Sequence, residues 1–283
     1  MAVAFAALLG LFVGSFLNVV VYRVPKMMEQ EWTRDYHAWA GTPPEVQPRF
    51  DLAVPRSACP QCSHPIAWYE NIPVLSYVAL GGKCSACKSP IGIRYPVVEL
   101  VTALFFASAA THYGTSVTTV AWCTFSSLLI ALFLIDLDTQ LLPDDLNYLL
   151  LWLGISIALL GWSIPLASSL YGAIFGYLSL WSVTKLYYLI SGKVGMGNGD
   201  FKLLAALGAW FGVEYLFALI LLSSLVGSVI GGLLLVSGKL ANKDIPIAFG
   251  PFLAGAGLVA MLVGPANLQQ WAPFAFPLGA QLH

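Results

Sequence analysis

Two acidic residues stand where apolar sequence leaves little reason for charge. Asp136 closes the run Leu134-Ile135-Asp136-Leu137-Asp138, and Asp200 follows the glycine string Gly195-Met196-Gly197-Asn198-Gly199. Ionisable groups at membrane depth are costly and usually functional. Each of the two sits where an apolar stretch begins or ends, so both are expected at one edge of a bilayer. Two carboxylates that approach cannot both stay ionised cheaply, and one keeps a proton while the other is charged. Such a pair can activate a water and protonate a leaving amine. Asp138 lies two residues from Asp136 and off its helical face. Asp144 or Asp145, after Pro143, suits a helix N-cap. Asp200 could also cap a helix after a flexible loop. The alternate glycines, Gly197 and Gly199 among them, allow either a tight turn or the close approach of another chain. No Ser/His/Asp or Cys/His set competes, and no His-Glu-x-x-His string occurs.

A second constellation is Cys59-Pro-Gln-Cys62 and Cys84-Ser-Ala-Cys87, with 21 residues between the pairs. Each Cys-x-x-Cys sets two sulfurs on one side of a tight turn, so two such knuckles can complete a tetrahedral zinc site. Four protein ligands make it a closed, structural site. Two disulfides, or His64 in place of one thiolate, are the alternatives. Cys123 is a lone thiol in an apolar run and suits packing.

The elements that must position these groups follow from composition. Hydrophobic residues make up 58% of the 283 and charged residues 10%, well under the roughly 25% charged of soluble domains. That excludes a disordered chain, a soluble globular enzyme and a fibre, and leaves an all-α polytopic membrane protein. The run Ala2 to Tyr22 is expected to be a retained first transmembrane helix (residues 1–22). Residues 23–96 are expected to form a soluble, loop-rich insert, small enough to need its zinc staple. Further spans are expected near 97–112, 117–135, 146–162, 167–190 and 246–265. Phe201 to Val236 would be about 54 Å as one helix, against a bilayer core of about 30 Å. It is expected to break between Phe211 and Glu214, which makes about eight spans, with 97–283 as the membrane-embedded domain. Placing the insert in the cytoplasm puts nearly every Lys and Arg inside. Lys239 and Lys243 join them only if the 201–236 stretch crosses twice, and Lys185 can snorkel.

Taken in order, these motifs resemble one family, the type IV prepilin peptidases. The resemblance runs through Gly14-Ser-Phe-Leu-Asn-Val-Val-Val-Tyr-Arg23-Val-Pro25, Arg56-Ser-Ala-Cys-Pro-Gln-Cys62, Glu70-Asn-Ile-Pro-Val-Leu-Ser76, Gly82-Lys-Cys-Ser-Ala-Cys87 and Arg94-Tyr-Pro-Val-Val-Glu99. It continues through Ile135-Asp136 to Leu142-Pro-Asp144 and Gly197-Asn-Gly-Asp200-Phe-Lys-Leu-Leu204. It implies a multi-pass bacterial inner-membrane aspartic peptidase with Asp136 and Asp200 catalytic at the cytoplasmic face, and Gly197 and Gly199 giving room for the substrate backbone. Its substrates would be type IV prepilins and type II secretion pseudopilins, met in membrane lipid, with no nucleic-acid partner. The cysteine-bearing insert further implies N-methylation of the new terminus from S-adenosyl-L-methionine. Glu70, Asn71, Gly82 and Lys83 are the candidates for holding that cofactor, although no Rossmann glycine loop is present. A proton-coupled transporter and a non-enzymatic assembly scaffold with a zinc finger are the rival classes. A transporter would usually place its carboxylates near the midplane, and a scaffold leaves the aspartates unexplained.

Overall fold

The computed structural model describes residues 1–43, 48–237, 248–271 and 273–276. Among these residues every regular element is helical. The only extended pairings are two isolated bridges, Ala58 with Pro65 and Lys83 with Pro90. The chain forms two compact units, Met1–Ser127 and Leu128–His283.

In the first unit, the opening apolar run is a helix, but it does not stop at Tyr22. Helix α1 spans Ala2–Ala40 and ends on a left-handed Gly41 at φ 64°. Strong helix formers such as Met27, Met28, Glu29, Gln30 and Glu31 carry it on, and Pro25 within it costs a ladder hydrogen bond without ending it. The segment from residue 23 is thus helical to Ala40 rather than loop-rich throughout. Beyond it, the described chain has only the short helix α2, Leu75–Ala79, and a 3-10 turn at Trp68–Asn71 before α3, Arg94–Tyr113. Helices α1 and α3 run antiparallel. A Cβ on Gly10 would lie 2.7 Å from Ala103 Cα and one on Gly14 2.6 Å from Glu99 Cα. This is the small-xxx-small contact that lets membrane helices pack backbone to backbone. Two buried charged side chains tie the irregular segment to this pair. Arg23 donates to the carbonyls of Asp51 at 2.7 Å and Pro55 at 2.6 Å. Glu99 accepts from the Val74 N–H at 2.7 Å.

The unit boundary falls inside α4, Val117–Thr139. The second unit continues with α5 (Asp144–Leu159), α6 (Leu166–Ser191), α7 (Asn198–Phe211), α8 (Leu216–Val236), α9 (Gly250–Val263) and α10 (Pro265–Trp271). The expected break lies where it was placed. Helix α7 stops at Phe211, and Gly212 turns the chain at φ 88° into a short 3-10 turn before α8.

Helix α7 is the centre of this unit, with Asp200, Phe201 and Leu203 to Phe211 all buried. Gly172 of α6 meets Gly208 of α7 so closely that a Cβ on either would strike the other's carbonyl oxygen, and a Cβ on Gly176 would come within 2.7 Å of the Leu204 carbonyl. Across the same interface Ser169 donates to the Ala209 carbonyl at 2.8 Å. On the α5 side, Trp210 fills the space left by Gly154, and its indole N–H donates to the Leu150 carbonyl at 2.8 Å. Helix α9 approaches through Gly257, which leaves room for Leu207 of α7 and Leu129 of α4.

Four of the described helical segments are long and apolar enough to cross a membrane: Ala2–Ala40, Val117–Thr139, Leu166–Ser191 and Val213–Val236. Helices α5, α7 and α9 are shorter, at 16, 14 and 14 residues. Lys239 and Lys243, expected on the cytoplasmic side, lie outside the described residues.

The α6–α7 contact tolerates no side chain on its glycines. Gly208→Leu should cost at least the ~1–3 kcal/mol of ordinary overpacking. Thermal unfolding in detergent should show a lowered midpoint for it and an unchanged one for Gly232→Ala, where a Cβ meets nothing within 4 Å.

Candidate active site and metal centre

Asp136 sits in the last turn of α4 and Asp200 in the first turn of α7. Both are buried, at 4% and 8% exposure, and the Asp136 carboxylate is close enough to act electrostatically on Asp200. Each faces a backbone N–H at the start of a helix: Asp200 that of Gly197, the N-cap of α7, and Asp136 that of Gly250, the first residue of α9. Helix starts carry unpaired N–H groups and partial positive charge, so they suit buried carboxylates. Asp200 thus helps to cap its own helix while facing Asp136. Oδ2 of Asp136 is buried and has no hydrogen-bond partner among the described residues. Two enclosed carboxylates with an uncommitted oxygen can take a proton from a nucleophile and give one to a leaving group.

Leu142 packs against the glycines beside the two aspartates. A Cβ on Gly199 would lie 2.7 Å from Leu142 Cβ, and one on Gly250 would lie 3.0 Å from Leu142 Cδ1. The close approach expected at Gly199 is therefore made by the chain itself. Gly197 stays open, with nothing nearer to its Cβ position than Asp200 Oδ2 at 3.9 Å.

Asp138 is exposed, two residues beyond Asp136. Asp144 does not cap α5, contrary to expectation. Pro143 takes the N-cap position, and both Asp144 and Asp145 fall inside the first turn, where negative charge is favoured by the positive end of the helix dipole. Asp144 is instead paired with Lys202 of α7 at 2.7 Å. This pair joins the starts of α5 and α7 two residues from Asp200.

In the first unit, Cys59, Cys62, Cys84 and Cys87 are all free thiols. Their sulfurs lie within 4.8 Å of one another, and the cluster could hold a metal ion. Two approaches, Cys59 to Cys87 at 3.8 Å and Cys62 to Cys84 at 4.0 Å, match the ~3.8 Å edge of a tetrahedron with ~2.3 Å metal–sulfur bonds. The two knuckles repeat each other. Cys59 N–H donates to the His64 carbonyl and Cys84 N–H to the Ser89 carbonyl, both at 2.9 Å. Ser63 and Lys88 take matching left-handed conformations at φ 57° and 60°. The N–H groups of Cys62 and Gln61 and the Ser89 hydroxyl pull the Cys59 thiol down to about 6. The Ser89 hydroxyl also lowers that of Cys87. The thiolate, the metal-binding form, is thereby favoured at Cys59 and Cys87, while burial and the neighbouring thiols push Cys62 up to about 11. His64 stays outside the sulfur cluster, with Nε2 3.8 Å from Glu70 Oε2.

The comparisons with known proteins bear on both sites. The model of the bacterial peptidase A24 N-terminal domain matches residues 8–113, and that of the type IV leader peptidase family matches residues 123–232. A prepilin leader peptidase/N-methyltransferase of Pseudomonas aeruginosa is 51% identical over 269 residues, covering 95% of this chain and 92% of its own. The chain belongs to the type IV leader peptidase family. Proteins of the same name from Aeromonas hydrophila and Neisseria gonorrhoeae are 47% and 46% identical, covering 93% and 95% of this chain and 91% and 92% of theirs. No solved structure matches it.

Both aspartates fall within the family's peptidase match and all four cysteines within its N-terminal match. The remaining candidates have separate surroundings. Glu70 accepts from the Ala67 N–H at 2.8 Å and from the Ser85 hydroxyl, which together hold its carboxyl below the usual range. It thereby links the second knuckle, which contains Ser85, to the turn after the first. Asn71 and Lys83 are exposed. Gly82, at φ 68°, leaves room for the Tyr77 ring. Sequence reasoning passed over Gly250. Its signal was the Gly250-Pro251 step opening an apolar run, which also fits an ordinary helix start.

The Asp144–Lys202 pair is largely open to solvent on the Asp144 side, so it should contribute under ~1 kcal/mol. Asp144→Asn is expected to leave the detergent melting point within a few degrees of the parent, in a differential scanning measurement.

Proposed function

We propose that this protein cleaves the leader from type IV prepilins and type II secretion pseudopilins and then N-methylates the new N-terminus. The reading is carried by two buried aspartates, each facing the start of a helix and close enough to interact, in a chain of the leader peptidase family.

Asp136 and Asp200 are the catalytic pair. One carboxylate takes a proton from water, whose oxygen adds to the scissile carbonyl. The other gives a proton to the leaving amine, and the C–N bond breaks. The precursor's apolar segment lies in lipid beside the helices, which brings its leader end to the edge where Asp136 ends α4 and Asp200 begins α7. Gly197, with open space at its Cα, lets the substrate backbone approach. Eight crossings, three of them made by the short helices α5, α7 and α9, put this edge and the cysteine-bearing insert on the cytoplasmic side, where the Lys and Arg of the insert lie. The site is in the bacterial inner membrane.

The four cysteines would hold a structural zinc ion. Zinc with four thiolates supplies fold stability and no open position for chemistry, which suits a segment with little regular structure. For methylation the donor would be S-adenosyl-L-methionine, which carries a transferable methyl group. The methyl-transfer reading rests on family membership. Glu70 is committed within the insert, and no residue is assigned to the donor.

Asp136→Asn and Asp200→Asn should each lower cleavage at least ~1,000-fold with enzyme levels in membranes unchanged. A precursor gel shift reads this directly, and normal cutting by either variant would remove that residue from the pair. Elemental analysis should find one zinc per chain, and far less in Cys59→Ser and Cys84→Ser. Mass spectrometry of the product N-terminus reports cleavage and methylation together.

A further inference from the structure

Asp136 ends its helix beside the first residue of α9, and the fit there is unusually intolerant. A Cβ built on Gly250 would collide with Oδ2 of Asp136, lie 3.1 Å from its Cγ and 3.0 Å from Leu142 Cδ1. Oδ2 is the buried oxygen without a hydrogen-bond partner among the described residues. The N–H of Gly250, which has no partner within α9 because it opens the helix, faces the same carboxylate. Helix α9 cannot retreat to make room. Seven residues on, Gly257 is pressed between Leu207 of α7 and Leu129 of α4, both fully buried. The carboxylate therefore occupies the volume that any side chain at 250 would need.

We propose that Gly250 is a positioning residue of the peptidase centre: its bare Cα seats the Asp136 carboxylate against the start of α9 and so sets how that carboxylate faces Asp200. The proposal rests on the aspartate-pair reading above. Only glycine allows the seat. With alanine the α9 backbone stays anchored at Gly257, so the movable partner is Asp136, which swings away from the helix start and from Asp200. The change acts through a carboxylate assigned to the reaction and not to holding the precursor's apolar segment. The loss therefore falls on the chemical step.

The experiment is a kinetic comparison of parent, Gly250→Ala, Gly255→Ala and Asp136→Asn on a purified prepilin in detergent, with melting points in parallel. A misplacement of this size costs about 100-fold in rate, so Gly250→Ala should lose about that factor in kcat with KM nearly unchanged. Its melting point should stay close to that of the parent. Gly255→Ala, on the same helix, should cut normally, because a Cβ there meets only Phe133 at an ordinary 3.8 Å. The double variant Gly250→Ala/Asp136→Asn should be no slower than Asp136→Asn alone, since both act through one carboxylate. Cutting by Gly250→Ala within about twofold of the parent would overturn the proposal. So would a loss that tracks a fallen melting point, or one that multiplies with Asp136→Asn. If the parent itself leaves the precursor uncut, it is the peptidase reading that fails, and the comparison shows this separately.

Discussion

Burying two carboxylates in an apolar bundle is the constraint around which the second unit is organised. A carboxylate taken from water without polar partners is strongly destabilised. In a helical bundle almost all backbone N–H groups are already used within the helices. The exceptions are the first turns. Asp136 and Asp200 both lie where such a turn is available, at the starts of α9 and α7. The ends of α4 and the starts of α7 and α9 therefore have to converge at one edge, and the acidic residues could not sit a turn deeper without losing these groups.

That convergence needs α7 to be held without slack. Its 14 residues are about 21 Å long, so it has few turns over which to spread its contacts. The chain compensates with close approach. Gly172 and Gly208 put two backbones in contact, Gly154 admits Trp210, and Gly257 admits Leu207. Between apolar helices in lipid, association depends on such packing and on interhelical hydrogen bonds rather than on the hydrophobic effect. The Ser169–Ala209 and Trp210–Leu150 bonds supply the latter. A rigid α7 carries Asp200 on its first turn and makes the position of that carboxylate a property of the whole unit.

The first unit solves a different problem by similar means. Its irregular segment buries few of its apolar residues, and it is tied down by charge and sulfur instead. Arg23 and Glu99 reach backbone groups of the segment from α1 and α3, while the repeated knuckles bring four thiols together. Glu70 was a cofactor candidate on sequence grounds. In the fold its carboxylate joins the second knuckle to the turn that follows the first.

Much of this was legible in the sequence because it is written in local pattern. Apolar runs, the break at Gly212, the paired Cys-x-x-Cys spacing and the isolation of Asp136 and Asp200 are all properties of neighbouring residues, set by backbone conformation, transfer energetics and ligand reach. The extension of α1 to Ala40 was missed because charge marked where the apolar run ends, and charge does not end a helix. Asp144 was misplaced because Pro143 and Asp144 compete for the same cap position, and the ion pair with Lys202 on a distant helix settles where the carboxylate goes. Which glycines are indispensable was beyond the sequence altogether. Gly197, Gly199 and Gly250 look alike as letters, yet one is open, one is filled by Leu142 and one is filled by Asp136. Residue type alone determined what chemistry the chain can do. Only the tertiary structure decided which atoms meet, because contact between segments more than a hundred residues apart depends on packing that no local pattern encodes.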